Sequence, residues 1–116
     1  MRPYELMIIF DAELEDQAIQ DQVDRVRSHI EGRGGRIAKT DRWGRRRLAY
    51  EINHKSEGFY IVFELLVEGG VDDLDRSLRL ADEVVRHKFI RLPEREAARR
   101  GLVDSTPAAA EPAAAE

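Results

Sequence analysis

The chain has 116 residues, a formal net charge of −4 and no cysteine. This length predicts one domain with a core of its own. The lack of cysteine excludes disulfides and thiolate metal sites, and it favours the cytoplasm. The acidic total argues against a generic nucleic-acid binder, although basic residues cluster apart from acidic ones, so one surface can still be positive. No stretch is long and apolar enough to span a bilayer, and we expect no membrane contact.

Four strands are predicted along the chain. Nearly continuous apolar runs at residues 4–10 and 59–67 are typical of strands that are covered on both sides or central in a sheet. Two further strands, at residues 36–52 and 84–92, are rich in arginine. An unpaired charge is very costly to bury, so these two strands are expected at sheet edges.

Apolar residues at helical spacing predict two helices, over residues 14–30 and 71–81. The resulting order, β-α-β-β-α-β, indicates a ferredoxin-like α+β fold, with a four-stranded antiparallel sheet and both helices on one face. The first and third strands are central in that topology, and the other sheet face is left uncovered unless a partner or ligand lies there. We expect a ferredoxin-like domain over residues 1–94, then an extension and a disordered Ala/Pro/Glu-rich tail over residues 95–116.

The second strand carries the most informative segment, Trp43-Gly44-Arg45-Arg46-Arg47. Side chains alternate in a strand, so Arg45 and Arg47 are predicted on one side and Arg46 on the other. Gly44 indicates a bulge or a close backbone approach. The triplet is either a clamp for phosphate or an acidic partner, which we favour, or a charged edge that prevents aggregation. Trp43 either stacks on a base or partner, or lies over its own sheet.

Other cations and aromatics open the first strand and surround the last one. Tyr4 either stacks on a ligand or contributes to the core. The remaining candidate binding residues are cationic, and they form either one positive rim or an ordinary solvated edge. Arg86 and Lys88 are predicted on the same face of the last strand. These candidates are Arg2, Arg79, Arg86, Lys88 and Arg91.

No pattern of catalytic residues is visible. The histidines His29, His54 and His87 fall on different elements without metal-ligand spacing. There is no nucleophile with a neighbouring base and no phosphate-cradling glycine loop. We therefore predict no catalytic residue, no metal, no cofactor and no small-molecule substrate. Two alternatives stay open: a small enzyme of the acyl-phosphate hydrolase type, for which only Asn53 supplies an asparagine, and a ferredoxin-like regulatory module.

The opening Arg2-Pro3-Tyr4-Glu5 and the second-strand segment Trp43 to Tyr50 together resemble the bacterial small-subunit ribosomal protein S6 family, and the likeness covers about residues 1–94. The segment Glu57-Gly58-Phe59-Tyr60 and the block from Leu78 to Arg86 are also similar. The resemblance implies a structural, non-enzymatic constituent of the small ribosomal subunit in the cytoplasm. It further implies binding to the central domain of the small-subunit ribosomal RNA, at the platform, together with the small ribosomal protein numbered eighteen.

The resemblance and the cationic strands together define two sets of candidate residues. The RNA-binding candidates are Arg2, Tyr4, Arg45, Arg46, Arg47, Arg79, Arg86, Lys88 and Arg91. The partner-binding candidates are Trp43, Arg45, Arg47, Leu48 and Tyr50. The two sets share Arg45 and Arg47, so the sequence leaves open which ligand these two side chains face.

Overall fold

A computed structural model of the chain describes residues 2–52 and 54–100. The predicted tail, with residues 101–104 before it, lies outside the described residues. The strands form one antiparallel sheet in the order β2-β3-β1-β4, so the predicted ferredoxin-like α+β fold, with β1 and β3 central, is confirmed. The elements in chain order are β1 (Arg2–Asp11), α1 (Asp16–Gly32), β2 (Arg36–Ile52), β3 (Lys55–Val67), α2 (Asp72–Leu80), β4 (Val84–Arg91) and α3 (Glu94–Arg99).

The main core lies between one face of the sheet and helices α1 and α2. Alternation along β1 and β3 places every second side chain on this face, where the helices bury it. Phe10 and Phe63 are the largest side chains with no exposed surface. The fully buried part of the core also contains Leu6, Ile8, Ile19, Ile61 and Leu65.

The glycine run after α1 ends the helix and lets the chain turn into β2. The Gly34 amide donates to the Glu31 carbonyl at 3.1 Å and the Gly35 amide to the Ile30 carbonyl at 2.9 Å. Gly34 has a φ of 85°, in the left-handed region that glycine adopts without strain. A Cβ on Gly35 would stand 2.5 Å from the Leu66 carbonyl oxygen, so this residue permits the close approach of β2 and β3.

The second face of the sheet is only partly open, which corrects the expectation of a wholly uncovered face. Helix α3 packs on this face, where Leu92 and Ala97 cover Leu66. Arg100 fixes the end of α3, since its Nη1 lies 3.4 Å from Glu5 Oε2 and 3.2 Å from Glu64 Oε2. The uncovered part of this face therefore lies beyond α3, towards the opposite ends of β1 and β3.

Candidate nucleic-acid and partner interface

Strand β2 contains a bulge at Trp43 and Gly44, as the sequence predicts. The pairing with β3 shifts between Arg42 and Gly44, and Gly44 has a φ of 89°. One extra residue reverses the alternation of side chains beyond it, so Trp43 and Arg46 reach the same face. The Trp43 ring stacks on Tyr60 at 6.1 Å between centroids and 11° between planes. The Arg46 guanidinium lies 4.9 Å from the Trp43 ring centroid, within cation–π range.

Arg45 and Arg46 lie on opposite faces, and their environments differ. Arg45 Nε donates to the Ala12 carbonyl at 2.9 Å, and its Nη2 donates to the Leu14 carbonyl at 3.2 Å. Its guanidinium also lies 5.6 Å from the ring centroid of Phe59. Arg45 thus ties the loop between β1 and α1 to the sheet, which leaves fewer of its donors for a phosphate or a partner.

The end of β2 arches over the open face. Pairing stops at Arg47 opposite Glu57 and resumes at Ile52 opposite Lys55, so four residues of β2 oppose one of β3. Within this arch Leu48 is only 7% exposed, which makes it part of the chain's own packing. Its role as a partner contact stays a prediction.

Gly58 leaves room for the Ile9 side chain beneath the arch. A Cβ at this position would stand 2.2 Å from Ile9 Cγ2 and 3.6 Å from Leu48 Cδ2. A cavity of about 250 Å³ remains between the arch and the sheet, lined by Met7, Tyr60 and Lys88 among others. The arch therefore closes over an apolar surface that is bordered by cations.

Tyr50 extends from the arch to the far edge of the sheet. Its hydroxyl accepts a hydrogen bond from Arg86 Nη1 at 3.4 Å. Tyr50 as a whole stays 65% exposed. The two candidate sets, on β2 and on β4, therefore meet at this contact.

The strand register places the aromatic pair of Trp43 and Tyr60, from β2 and β3, on the same surface as the β4 cations. Tyr60 lies opposite Ile9, which in turn lies opposite Arg86, while Lys88 lies opposite Met7. With strands ~4.8 Å apart, Arg86 is about 10 Å from Tyr60 across the sheet. We call this surface the open-face patch. It consists of Trp43, Arg46, Tyr60, Arg86 and Lys88. The predicted common face of Arg86 and Lys88 is confirmed.

The other predicted cations do not join this patch. Arg91 lies opposite Tyr4, near the start of β1, whereas Arg86 lies opposite Ile9. At ~3.4 Å per residue, Arg2 is about 24 Å from Ile9 along β1. Arg79 lies on α2 and binds Asp75 at 3.0 Å. The predicted rim is therefore divided into two groups along the β1–β4 edge, with Arg79 apart from both.

Tyr4 belongs mainly to the protein's own packing. Its ring meets Phe89 edge-on, at 6.3 Å between centroids and 84° between planes, and it packs against the main core. Its role in RNA binding stays a prediction.

The charged side chains of the open-face patch are available to a ligand. Among residues 2–52 and 54–100, no carboxylate forms a salt bridge with a cation of this patch, nor with Arg47 or Arg91. Trp43 is 42% exposed. The patch therefore combines unpaired positive charge with an aromatic surface, which suits phosphates, bases or an acidic protein.

Two polar contacts of carboxylates away from the patch are structural. His87 Nε2 and Asp75 Oδ1 are 2.7 Å apart between β4 and α2. The hydrogen bond with His87, with help from Arg79, lowers the pKa of the Asp75 carboxyl. The amide of Glu13 and the ammonium of Lys55 likewise lower the pKa of Asp11. Both contacts join neighbouring elements, and sequence reasoning did not identify Asp75 or Asp11.

The described part of the chain offers no metal site and no membrane span. It contains no group of three histidine, cysteine, aspartate or glutamate residues placed to hold an ion. None of its helices is both long and apolar enough to cross a membrane. The geometry supplies surfaces for binding, and we assign it no reaction.

The fold and the open-face patch define a ferredoxin-like domain that offers one part of its sheet for binding. The sequence matches the family described as Ribosomal protein S6 over residues 3–91. It is 48% identical over 92 residues to small ribosomal subunit protein bS6 of Salinispora tropica, which covers 78% of this chain and 96% of that protein. It is 44% identical over 95 residues to the protein of the same name from Leifsonia xyli, covering 81% of this chain and 74% of that one.

A solved structure agrees with these sequence relatives. The crystal structure of 30S ribosomal protein S6 from Thermotoga maritima is 32% identical in sequence, with a TM-score of 0.77 over 85% of this chain and 94% of that one. The chain belongs to the ribosomal protein S6 family. It is a ribosomal protein of the small subunit, a component of the ribosome in the cytoplasm, and not an enzyme. The predicted family is confirmed, and the hydrolase alternative is set aside.

Proposed function

We propose that this chain binds the central domain of small-subunit ribosomal RNA, at the platform, and that it does so together with the small ribosomal protein numbered eighteen. The observation that carries the proposal is a pair of edge strands, β2 and β4, whose outward cations have no carboxylate partner among the described residues. Unpaired guanidinium and ammonium groups on a sheet edge suit the phosphates of a folded RNA.

The β4 edge is proposed as the RNA side. Arg86 and Lys88 project from one face, and Arg91, with Arg2 near it, supplies a second group of charges. Few phosphates are neutralised by so few side chains, so the affinity of the chain for RNA alone should be weak and strongly dependent on salt. This supports the need for a partner.

The β2 edge is proposed as the partner side. The strand is 17 residues long and, among the strands of residues 2–52 and 54–100, has a neighbour on one side only, so its other side can pair with a second chain. Trp43 supplies an exposed aromatic anchor of the kind that dominates protein interfaces. Tyr50, in contact with Arg86, joins this side to the RNA side.

The RNA side is tested by the double variant Arg86→Gln/Lys88→Gln, with fluorescence anisotropy on a central-domain RNA fragment in the presence of the partner. If both residues contact phosphates, the slope of log K against the logarithm of the salt concentration should become shallower by about 1.4 to 1.8. The matched control is Arg25→Gln/Arg76→Gln, which removes the same charge from the helix side and should change little. Equal losses in the two doubles would contradict the proposed RNA side.

The need for a partner is tested with the unaltered chain. RNA binding should be much tighter with the partner than without it, and equal affinity would defeat the proposal. Trp43 is the only tryptophan of the chain, so its emission reports on the β2 side. We expect the partner alone to shift this emission and to protect it from acrylamide quenching, whereas RNA alone should not.

A further inference from the structure

A groove lies on the helix side of the domain, away from the open-face patch. It runs between α1 and α2 and has a volume of about 950 Å³. Its floor contains Val26, Leu74 and Leu78, which also belong to the main core. Leu80, at the end of α2, lines the groove and is 73% exposed. The groove therefore offers apolar surface to a further molecule.

The rim of the groove is mainly acidic, with four carboxylates against one guanidinium, that of Arg25, and the imidazole of His29. Asp21 and Asp24 come from α1, and Asp82 and Glu83 follow α2. Within the described ranges none of these four carboxylates forms a salt bridge. The hydrogen bonds that Asp21 and Asp24 accept from described side chains come from the amides of Gln17 and Gln20, at 3.0 Å and 2.9 Å. Such a rim repels RNA and attracts cations.

Gln22 is a second, independent sign of a ligand. It is 7% exposed, the one buried polar side chain of the described residues, and it lines the groove. No described residue forms a hydrogen bond with its side-chain amide. A buried amide without partners is costly. Because this amide both donates and accepts, it can pair with the backbone of a peptide.

We propose that the groove between α1 and α2 binds a Lys/Arg-rich protein segment that also carries an apolar residue. Cationic side chains of the segment meet the rim carboxylates, an apolar side chain covers Leu80, and the segment's backbone pairs with Gln22. The nine residues of α2 are about 13 Å long, which accommodates about four residues of an extended chain.

Charge complementarity favours a basic protein segment over nucleic acid, a second copy of the chain or the chain's own tail. Nucleic acid and the acidic helix face of a second copy share the sign of the rim. The chain's own tail, from residue 105 onward, contains two glutamates and no cation. A basic protein segment is the macromolecule whose charge and backbone fit all three features.

The test uses the full chain and a fluorescein-labelled short peptide of alternating lysine and leucine. Fluorescence anisotropy should show binding that weakens with salt, and a peptide of alternating glutamate and leucine should not bind. The double variant Asp24→Asn/Asp82→Asn should weaken the lysine peptide about tenfold. The matched control, Glu15→Gln/Glu31→Gln, removes the same charge near the ends of α1 and should change affinity less than about twofold.

The variant Gln22→Leu separates a binding role from a structural one. Replacing an unpaired buried amide by an apolar side chain should keep or raise the melting temperature, while the peptide should bind more weakly. Unchanged peptide affinity in Gln22→Leu would overturn the proposal, as would equal losses in the two charge doubles. So would sedimentation that shows the chain alone dimerising through the groove, since that would assign it to a second copy.

Discussion

The two faces of the sheet differ in what covers them, although the same strands supply both. Ile8 points to the helices and lies in the main core, while its neighbour Ile9 points to the other face, beneath the β2 arch. The helix face is closed by α1 and α2. The other face is closed only in part, by α3 and by the arch, and leaves the open-face patch exposed. The main core is therefore on the helix face, and the proposed RNA and partner contacts use the other face.

The largest expected effect comes from the helix face. Phe63→Ala removes a fully buried side chain from β3, so the free energy of unfolding should fall by about 3–5 kcal/mol. Urea unfolding followed by circular dichroism measures this change. The control is Ile90→Ala, on the open face of β4 and 43% exposed, which should cost less than about 1 kcal/mol. Comparable losses in the two variants would break the distinction between the faces.

A smaller effect is expected at Gly58, which shows that part of the open face is also structural. A Cβ there would meet Ile9 Cγ2 at 2.2 Å, so Gly58→Ala should destabilise by about 1–3 kcal/mol through overpacking. Gly32→Ala is the matched control, since a Cβ there would meet nothing within 4 Å. In thermal unfolding, the melting temperature of Gly32→Ala should equal or exceed that of the parent. A neutral Gly58→Ala would show that the Ile9 side chain does not need the space that this glycine leaves.

Much of this comparison was predictable from sequence because it depends on local patterns. The two apolar runs gave the central strands, the arginine-rich runs gave the edges, and Gly44 gave the bulge. Features that depend on distant contacts were not predictable. Nothing near Arg45 indicates that it binds the carbonyls of Ala12 and Leu14, and nothing near Tyr50 indicates that it contacts Arg86.

The packing of α3 on the sheet was not predictable from sequence for a similar reason. Its apolar contact depends on Leu92 and Ala97, which carry no periodic signal of their own. Its ionic contact joins Arg100 to Glu5 and Glu64, which are far away in the chain. The division of the predicted cationic rim follows from the antiparallel register of β1 and β4, which the expectation of one rim did not take into account.

A third prediction compares neighbouring arginines on the two faces. Arg45→Met removes two hydrogen bonds to backbone carbonyls, and it should lower the free energy of unfolding by about 1 kcal/mol. Arg46→Met removes one exposed cation–π contact, and it should cost about 0.5 kcal/mol or less. Chemical unfolding measures both values. Equal costs would mean that Arg45 is no more structural than Arg46.

Binding should rank the same two variants in the opposite order. Arg46→Met removes a cation from the open-face patch, so it should weaken the complex with RNA and partner more than Arg45→Met does. Anisotropy with the assembled partner measures this. A larger binding loss in Arg45→Met would contradict the assignment of the two faces.

A small effect on stability is also expected at the contact of Asp75 with His87, which joins β4 to α2 on the helix face. Because the pKa of Asp75 is lowered from 3.8, its ionised form is favoured by folding. The stabilisation is therefore present above pH 3.8 and is lost as the pH falls through the lower pKa of the folded state. Asp75 is about one third exposed, so Asp75→Asn should cost less than about 1 kcal/mol near neutral pH.

The pH dependence of this cost distinguishes a contact that needs the ionised Asp75 carboxylate from simple packing. Thermal unfolding of the parent and of Asp75→Asn is compared from neutral to acid pH. The difference between their melting temperatures should narrow once the parent carboxyl is protonated, because residue 75 is then uncharged in both proteins. Glu31→Gln, an exposed change on α1, shows the background effect of removing one charge. If the difference in melting temperature stayed constant into acid, Asp75 would act through its shape alone. The helix face would then owe its stability to apolar packing, without a contribution from the charge of Asp75.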